Sequence, residues 1–179
     1  MDIERKEIHH RQLDIRFYQR PDGLFEVEGR LLDRKAHPFR RVLQDTDTPA
    51  GTPLHDIVVR LVVDESLLVH DASATLAASP FGICRGAADT LAPLKGLQIG
   101  GGWNKRVREL LGGAASCTHI VELLGPMATT MYQGLAPQRL ARMAQPGNEE
   151  QKSKIDSCYA YARDREVVAR LWPHLRKSL

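Results

Sequence analysis

A cysteine and a histidine separated by one residue, Cys117 and His119, form the most chemically distinctive pair in the sequence. They stand at the start of a predicted helix, where the chain is still irregular and both side chains can point into one space. The partial positive charge of a helix N-terminus favours the thiolate form of cysteine. Thiolate sulfur and neutral imidazole nitrogen are common donors for zinc and iron. The pair predicts a metal site, and a chance meeting of a buried thiol with a surface imidazole is the alternative.

Further donors in the chain can complete such a site. Cys84 opens a predicted helix, and His55 with Asp56 precedes a predicted central strand. Glu122, one turn after the histidine of the pair, can bind the metal itself or orient the imidazole. Cys158 is a further candidate in the C-terminal piece. These spacings match no compact zinc-finger signature, so the fold has to bring the donors together. Packed free thiols are the alternative for the two added cysteines.

The same residues also support a function without metal. In that interpretation Cys117 acts as a nucleophile or acid–base group on a small anionic substrate. Arg30, Arg60 or Lys105 would then meet the charge of the substrate. A third interpretation is a subunit that binds a partner protein. The sequence leaves open whether the protein is an enzyme.

Two other features receive no role. The glycines at 100–102 precede a predicted helix in the manner of a phosphate cradle, but the Gly-Lys-Ser/Thr ending of a P-loop is missing. A flexible turn is the favoured interpretation. His9, His10 and His37 fall in predicted coil.

The composition is that of an ordinary soluble protein. The chain has 179 residues, of which 42% are hydrophobic and 26% are charged, and this argues against extended disorder. Its 25 Lys and Arg against 22 Asp and Glu give a net charge of +3, far from the basic face of a dedicated nucleic-acid binder. Three cysteines fit a reducing compartment rather than a disulfide framework. The charged N-terminus lacks a signal peptide and no apolar run can span a bilayer, so we expect a cytoplasmic protein without membrane contact.

The order of the predicted elements indicates an α+β fold. Residues 13–17 alternate apolar and polar, and a Pro-Asp-Gly turn at 21–23 leads into a return strand. The β-branched run at 57–63 predicts a central strand of a second hairpin. Helical periodicity follows from residue 72 onward, and residues 33–53 are predicted as a long surface loop. We therefore predict N-terminal antiparallel β-hairpins that form a sheet, packed by helices from the second half of the chain.

The predicted organisation is a single domain over residues 1–179. Residues 1–10 are predicted to be a flexible N-terminus, and residues 145–152 a linker to a C-terminal hairpin or helix. Residues 155–173 fit both structures, with a slight preference for the hairpin. The oligomeric state is left undetermined.

Three stretches together resemble a known family. They are Asp-Gly-Leu-Phe-Glu-Val-Glu-Gly-Arg-Leu-Leu-Asp at 22–33, Pro-Leu-His-Asp at 53–56, and residues 113–126 with Cys-Thr-His-Ile-Val-Glu-Leu-Leu-Gly-Pro. They resemble the bacterial family filed as domain of unknown function 2889 (DUF2889). The Cys-Thr-His run is the most specific part. The resemblance implies a stand-alone bacterial protein and brings no activity with it.

The order of elements is also similar to that of the iron–sulfur scaffold proteins. In that family, donors from a loop before a strand, a helix start and a later helix start meet at one metal or cluster site. The resemblance implies His55 or Asp56, Cys84, and Cys117 with His119 as the counterparts. The sequence departs from that pattern, because the first position has no cysteine and Thr118 separates the later pair.

Overall fold

The computed structural model describes residues 3–144 and 150–175. Within it the chain divides into two compact units, Met1–Gln133 and Gly134–Leu179, and each is described by itself. The single domain expected over residues 1–179 stays a prediction.

A four-stranded antiparallel sheet forms the frame of the first unit. Its strands lie in the order β1-β2-β5-β6, and two further strands pair in a small separate hairpin. The six strands are β1 (His9–Gln19), β2 (Phe25–Lys35), β3 (Phe39–Arg40), β4 (Asp47–Thr48), β5 (Pro53–Val63) and β6 (Val69–Ala78). The α+β class and the N-terminal antiparallel hairpins predicted from the sequence are confirmed.

Short-range chemistry explains the two hairpin turns. Gly23 supplies a φ of +83° in the turn between β1 and β2, a conformation that favours glycine. In the turn between β5 and β6, the Asp64 carboxylate accepts hydrogen bonds from the backbone N–H groups of Ser66 and Leu68 at 2.8 and 3.1 Å. These bonds satisfy backbone donors that the tight turn leaves unpaired.

Two α-helices and a long 3₁₀ helix complete the first unit. These elements are a 3₁₀ helix at Gly82–Leu94, α1 at Trp103–Leu111, a short 3₁₀ turn at Gly113–Ala115 and α2 at Thr118–Gly134. The helical start predicted after residue 72 is wrong, because Ala72 to Ala78 continue β6 in register with β5. Of the helices in the described part of the chain, none is long and apolar enough to cross a membrane.

The core of the first unit lies between the sheet and α2. Alternate residues of β5 from Ile57 to Val63 are fully buried, as the period of a strand with one covered face requires. On β2, Gly29 lies so close to α2 that an added Cβ would come 2.8 Å from Met127 Sδ. The indole N–H of Trp103 donates to the backbone oxygen of Leu124 at 3.0 Å and joins α1 to α2.

Both ends of the first hairpin are more ordered than the sequence suggests. Strand β1 begins at His9, inside the segment 1–10 predicted to be flexible, and residues 1 and 2 lie outside the described part. Strand β2 continues to Lys35, so the loop expected over 33–53 starts later and contains the β3–β4 hairpin. Pairing with a neighbouring strand stabilises both segments. The periodicity of one stretch of sequence does not predict which strand it pairs with.

The second unit is helical in its described residues. It consists of α3 (Ala136–Met143), α4 (Glu150–Lys154), α5 (Glu166–Leu171) and 3₁₀ turns at Tyr159–Tyr161 and Pro173–Leu175. A small cluster of Met143, Ile155, Val168 and Trp172 forms its core. The structure has helix where the sequence slightly favoured a hairpin. Residues 145–149 of the predicted linker lie outside the described residues, and residues 150–152 open α4.

Candidate metal centre

Three residues of the site form one row across the sheet. Arg11 of β1 lies directly opposite Asp33 of β2, and Asp33 lies directly opposite His55 of β5. Residues directly opposite one another in an antiparallel sheet project to the same face with their Cβ atoms about 5 Å apart. The strand register therefore brings together side chains that are 22 residues apart in sequence. A β-bulge immediately after Asp33 ends the regular pairing.

The Asp33 carboxylate is the centre of the row. Its side chain is only 1% exposed, and Arg11 binds it through Nε to Oδ1 and a terminal nitrogen to Oδ2, both at 2.8 Å. His55 Nδ1 lies 3.0 Å from Oδ2, and His9 Nε2 lies 3.3 Å from Oδ1. Burial alone would raise the pKa of Asp33, but the Arg11 guanidinium and the histidine hydrogen bonds hold this pKa at about 2. Asp33 is therefore an anion at neutral pH.

The first turn of α2 adds a second imidazole. His119 Nε2 lies 3.8 Å from Asp33 Oδ2, and the rings of His55 and His119 face each other with centroids 3.8 Å apart. Among the described residues, Asp33, His55 and His119 form a group whose donor atoms all lie within 4.8 Å of one another. Two imidazole nitrogens and one carboxylate oxygen are a common donor set for zinc and non-haem iron.

Both imidazoles favour their neutral form. Burial lowers the pKa of His55 below its ordinary value, and the hydrogen bond with Asp33 opposes this only in part. Burial also lowers the pKa of His119, and the nearby His55 and Arg11 add to that effect because each disfavours a further positive charge. Neutral imidazole is the form that binds a metal ion.

Arg11 ties this row to α2. Besides its two bonds to Asp33, it donates to Glu122 Oε2 at 2.7 Å. These hydrogen bonds to Asp33 and the two carboxylate charges raise the pKa of Arg11, although burial opposes them. Glu122, predicted to bind the metal or to orient His119, instead accepts this bond from Arg11. It holds the strand against the helix that carries His119.

A cavity of about 560 Å³ opens beside the two imidazoles. Its walls include both histidines and two of the three cysteines, namely His55, His119, Cys84 and Cys117. Cys117 Sγ lies 3.7 Å from His119 Nδ1, so the Cys-x-His pair does share one space at the helix start. Cys84 reaches the same cavity from the 3₁₀ helix. Neither thiol belongs to the group of donors within 4.8 Å.

Comparison with known proteins identifies the family. A family model described as a protein of unknown function, DUF2889, matches residues 9–133. The chain belongs to the DUF2889 family. The resemblance expected from the sequence is confirmed, and the matched segment ends where the first compact unit ends. No curated protein and no solved structure matches the chain. The similarity to iron–sulfur scaffold proteins stays a prediction.

Every member of the donor group lies inside the DUF2889 match, whereas two of the residues predicted as ligands, Asp56 and Cys158, lie away from the donor group. Asp56 follows His55 on β5, and since successive strand residues point to opposite faces, its carboxylate turns away from the site. There it accepts two hydrogen bonds from Arg30 at 2.8 Å. Cys158 lies beyond the DUF2889 match, in the second compact unit, and is exposed.

The basic residues proposed for an anionic substrate are engaged outside the cavity. Arg30 pairs with Asp56, and Arg60 pairs with Glu28 at 2.7 Å. Lys105 lies on the surface of α1, and none of the three lines the cavity beside the imidazoles.

Sequence reasoning missed Asp33, Arg11 and His9. The sequence pattern places Asp33 at the start of a predicted surface loop and His9 in predicted coil. One signal was available, because Val27, Leu31 and Asp33 share the odd positions of β2 that face the core. Extending that alternation by one step would have placed a carboxylate on the buried face. The partners of that carboxylate follow only from the register between strands.

Proposed function

We propose that this DUF2889 protein binds a divalent zinc or iron ion through Asp33, His55 and His119. The observation that carries the proposal is the convergence of three donor atoms within 4.8 Å, from two neighbouring strands and a helix start. Cys84 and Cys117 line the cavity beside the centre, where a thiol can approach the ion or a molecule bound to it.

The distances between the donors suit one ion. A tetrahedral or octahedral ion with metal–ligand bonds of about 2.1 Å keeps neighbouring donor atoms about 3.0 to 3.4 Å apart. His55 Nδ1 and His119 Nε2 lie 3.0 and 3.8 Å from the same oxygen, Oδ2 of Asp33. The first distance falls in that range and the second exceeds it by a few tenths of an ångström, while all donor atoms of the group lie within 4.8 Å of one another. The proton of His55 then resides on Nε2, because Nδ1 binds the ion.

The contacts of Arg11 are compatible with this role of Asp33. A carboxylate oxygen has two lone pairs, so Oδ2 can accept one N–H from Arg11 and still bind an ion. The guanidinium fixes the orientation of the carboxylate, as hydrogen-bonded partners of metal ligands commonly do. Glu122 offsets the positive charge of Arg11 and limits its repulsion of the ion.

Three protein donors leave part of the coordination sphere open. Structural zinc sites use four protein ligands, whereas catalytic sites use three and keep a position for water or substrate. His55 and His119 also line the cavity, so the open position faces it in this proposal. An ion placed in this way can polarise a bound oxygen or lower the pKa of a bound water.

Elemental analysis of the untagged full-length protein tests the proposal. We expect about one equivalent of zinc or iron per chain, the stoichiometry of a single three-donor site. His55→Ala and His119→Ala should each lose that metal. His70→Ala is the matched control, because His70 forms an equivalent 3.0 Å contact with Asp64 away from the donor group and should keep full metal content. Folded wild-type protein that takes up no metal would refute the proposal.

The second candidate function is thiol chemistry at Cys117. One observation favours it: the thiol lies 3.7 Å from His119 Nδ1, and the other ring nitrogen lies 3.8 Å from Asp33. A thiol, an imidazole and a carboxylate in series activate a cysteine nucleophile. Under this alternative Cys117 reacts with iodoacetamide at least ten times faster than the exposed Cys158, in protein freed of metal. Equal rates, or slower labelling of Cys117, would exclude it.

A further inference from the structure

We infer that the cavity beside the candidate metal centre binds an uncharged small organic molecule with an apolar body. An oxygen or nitrogen donor of that molecule lies at the end of the cavity formed by His55 and His119. The placement of the donor rests on the proposed metal function, whereas the binding of the apolar body does not.

The cavity is large enough for such a molecule and is mainly apolar. Its volume of about 560 Å³ falls within the range of small-molecule sites and is several times the roughly 150 Å³ that encloses a benzene ring. Away from the imidazoles, half of the lining residues have apolar side chains, namely Pro80, Phe81, Ile83, Ala87, Ala114 and Ala115. An apolar body gains free energy by leaving water for this surface.

The described wall of the cavity carries no Lys, Arg or carboxylate side chain to pair with a charged ligand. The hydroxyl groups of Thr90 and Ser116 bind each other at 2.6 Å, and Thr90 also donates to the backbone oxygen of Ala87. In metal-free protein, an ion would lose its water against this wall without gaining a partner of opposite charge, which disfavours anions and cations alike.

The rim of the cavity carries two exposed apolar side chains. Ile83 is 88% exposed and Phe81 is 41% exposed, although both belong to the cavity wall. Large apolar groups left in water beside a cavity are typical of a surface that a ligand covers.

Three soluble probes test the inference on full-length, EDTA-treated protein by amide chemical shifts. Benzamide and acetamide share an uncharged amide and differ in the ring, while benzoate keeps the ring and adds a charge. We expect benzamide to shift amides of the cavity wall, with a dissociation constant at least tenfold below those of acetamide and benzoate. Equal affinities for benzamide and acetamide, or tighter binding of benzoate, would overturn the inference.

Two glycine variants locate the binding. Gly86 lines the cavity, has no positive φ, and has no atom within 4 Å of an added Cβ, so Gly86→Phe fills space without a clash at the backbone. Gly82 has the same freedom in the same 3₁₀ helix but does not line the cavity. We expect Gly86→Phe to weaken benzamide binding at least tenfold and Gly82→Phe to leave it unchanged. Unaltered binding in Gly86→Phe would contradict the inference.

The fourth probe separates the cavity from the metal. Benzohydroxamate adds a metal-chelating group to the same ring, so in metal-loaded protein we expect it to bind at least tenfold tighter than benzamide. In EDTA-treated protein that advantage should disappear. If benzohydroxamate gains nothing in either form while benzamide still prefers the wild-type cavity, the metal function fails and the apolar site stands. If benzohydroxamate binds metal-loaded protein tightly but benzamide shows no preference over acetamide and benzoate, the metal function stands and the apolar site fails.

Discussion

Replacing Arg11 by methionine removes the only arginine bound to the buried Asp33 among the described contacts. Met keeps much of the length and apolar stem of arginine but lacks its two 2.8 Å bonds to the carboxylate. Breaking a buried ion pair from one side costs about 3 to 5 kcal/mol, because the remaining charge stays buried without its partner. We therefore expect Arg11→Met to lower the free energy of unfolding by about that amount at pH 7, in metal-free protein.

The pH dependence of this cost follows from the lowered pKa of Asp33. A fall from 3.8 to about 2 corresponds to about 2.4 kcal/mol of stability, at about 1.36 kcal/mol per pKa unit. Since the folded pKa lies below the unfolded value, this contribution is complete above pH 3.8 and fades as the pH falls toward 2. Arg11 also lowers the pKa of His119, so its removal eases protonation of that imidazole in acid. Both effects make the cost of the substitution smaller at low pH.

Urea unfolding between pH 7 and pH 3 measures the effect. The chain has two tryptophans, and a Trp172→Phe background leaves the buried Trp103 as the fluorescent reporter of the first unit. Arg16→Met is the matched control, since Arg16 binds Asp14 at 2.8 Å in an exposed pair and should cost less than about 1 kcal/mol. An Arg11→Met cost no larger than this control, or equal at pH 7 and pH 3, would refute the reasoning.

Four further substitutions, one of them a surface control, test the stability of the first unit by thermal unfolding. Gly29→Ala should cost about 1 to 3 kcal/mol, because its Cβ would lie 2.8 Å from the sulfur of Met127. Leu123→Ala should cost about 2 to 5 kcal/mol, since the side chain is fully buried, whereas Ile83→Ala, at an 88% exposed position, should change stability by less than about 0.5 kcal/mol. Asp64→Ala should cost about 1 to 3 kcal/mol through the turn donors that it leaves unpaired.

Each of these expectations has a distinct contrary result. A wild-type melting temperature for Gly29→Ala would mean that β2 and α2 approach less closely than the structure has them. A small loss for Leu123→Ala would place that residue outside the core. An unaltered Asp64→Ala protein would show that the turn does not depend on the carboxylate.

Local sequence patterns predict most of the strands and the helix that carry the candidate site. Apolar residues at alternate positions predict β1 and β2, a β-branched run predicts β5, and Cys117 and His119 are correctly expected at the start of a helix. Alternation along β5 also distinguishes the two neighbouring candidates, because His55 lies on the same face as the buried Ile57 and Asp56 lies on the opposite face. These features depend on neighbours a few residues away, so a single sequence contains them.

The sequence by itself determined the class of fold, the family and two of the three candidate ligands, because periodicity, turns and motif residues are local properties. Only the tertiary structure decided that Asp33 is their partner and that Arg11 holds it. Those contacts depend on the register of β1, β2 and β5 and on how α2 packs against the sheet. Register joins residues far apart in the chain, and a shift by one position would turn Asp33 to the opposite face. The cysteines in the sequence predict thiol ligands, whereas the pairing of the strands places a buried carboxylate, Asp33, at the centre of the candidate metal site.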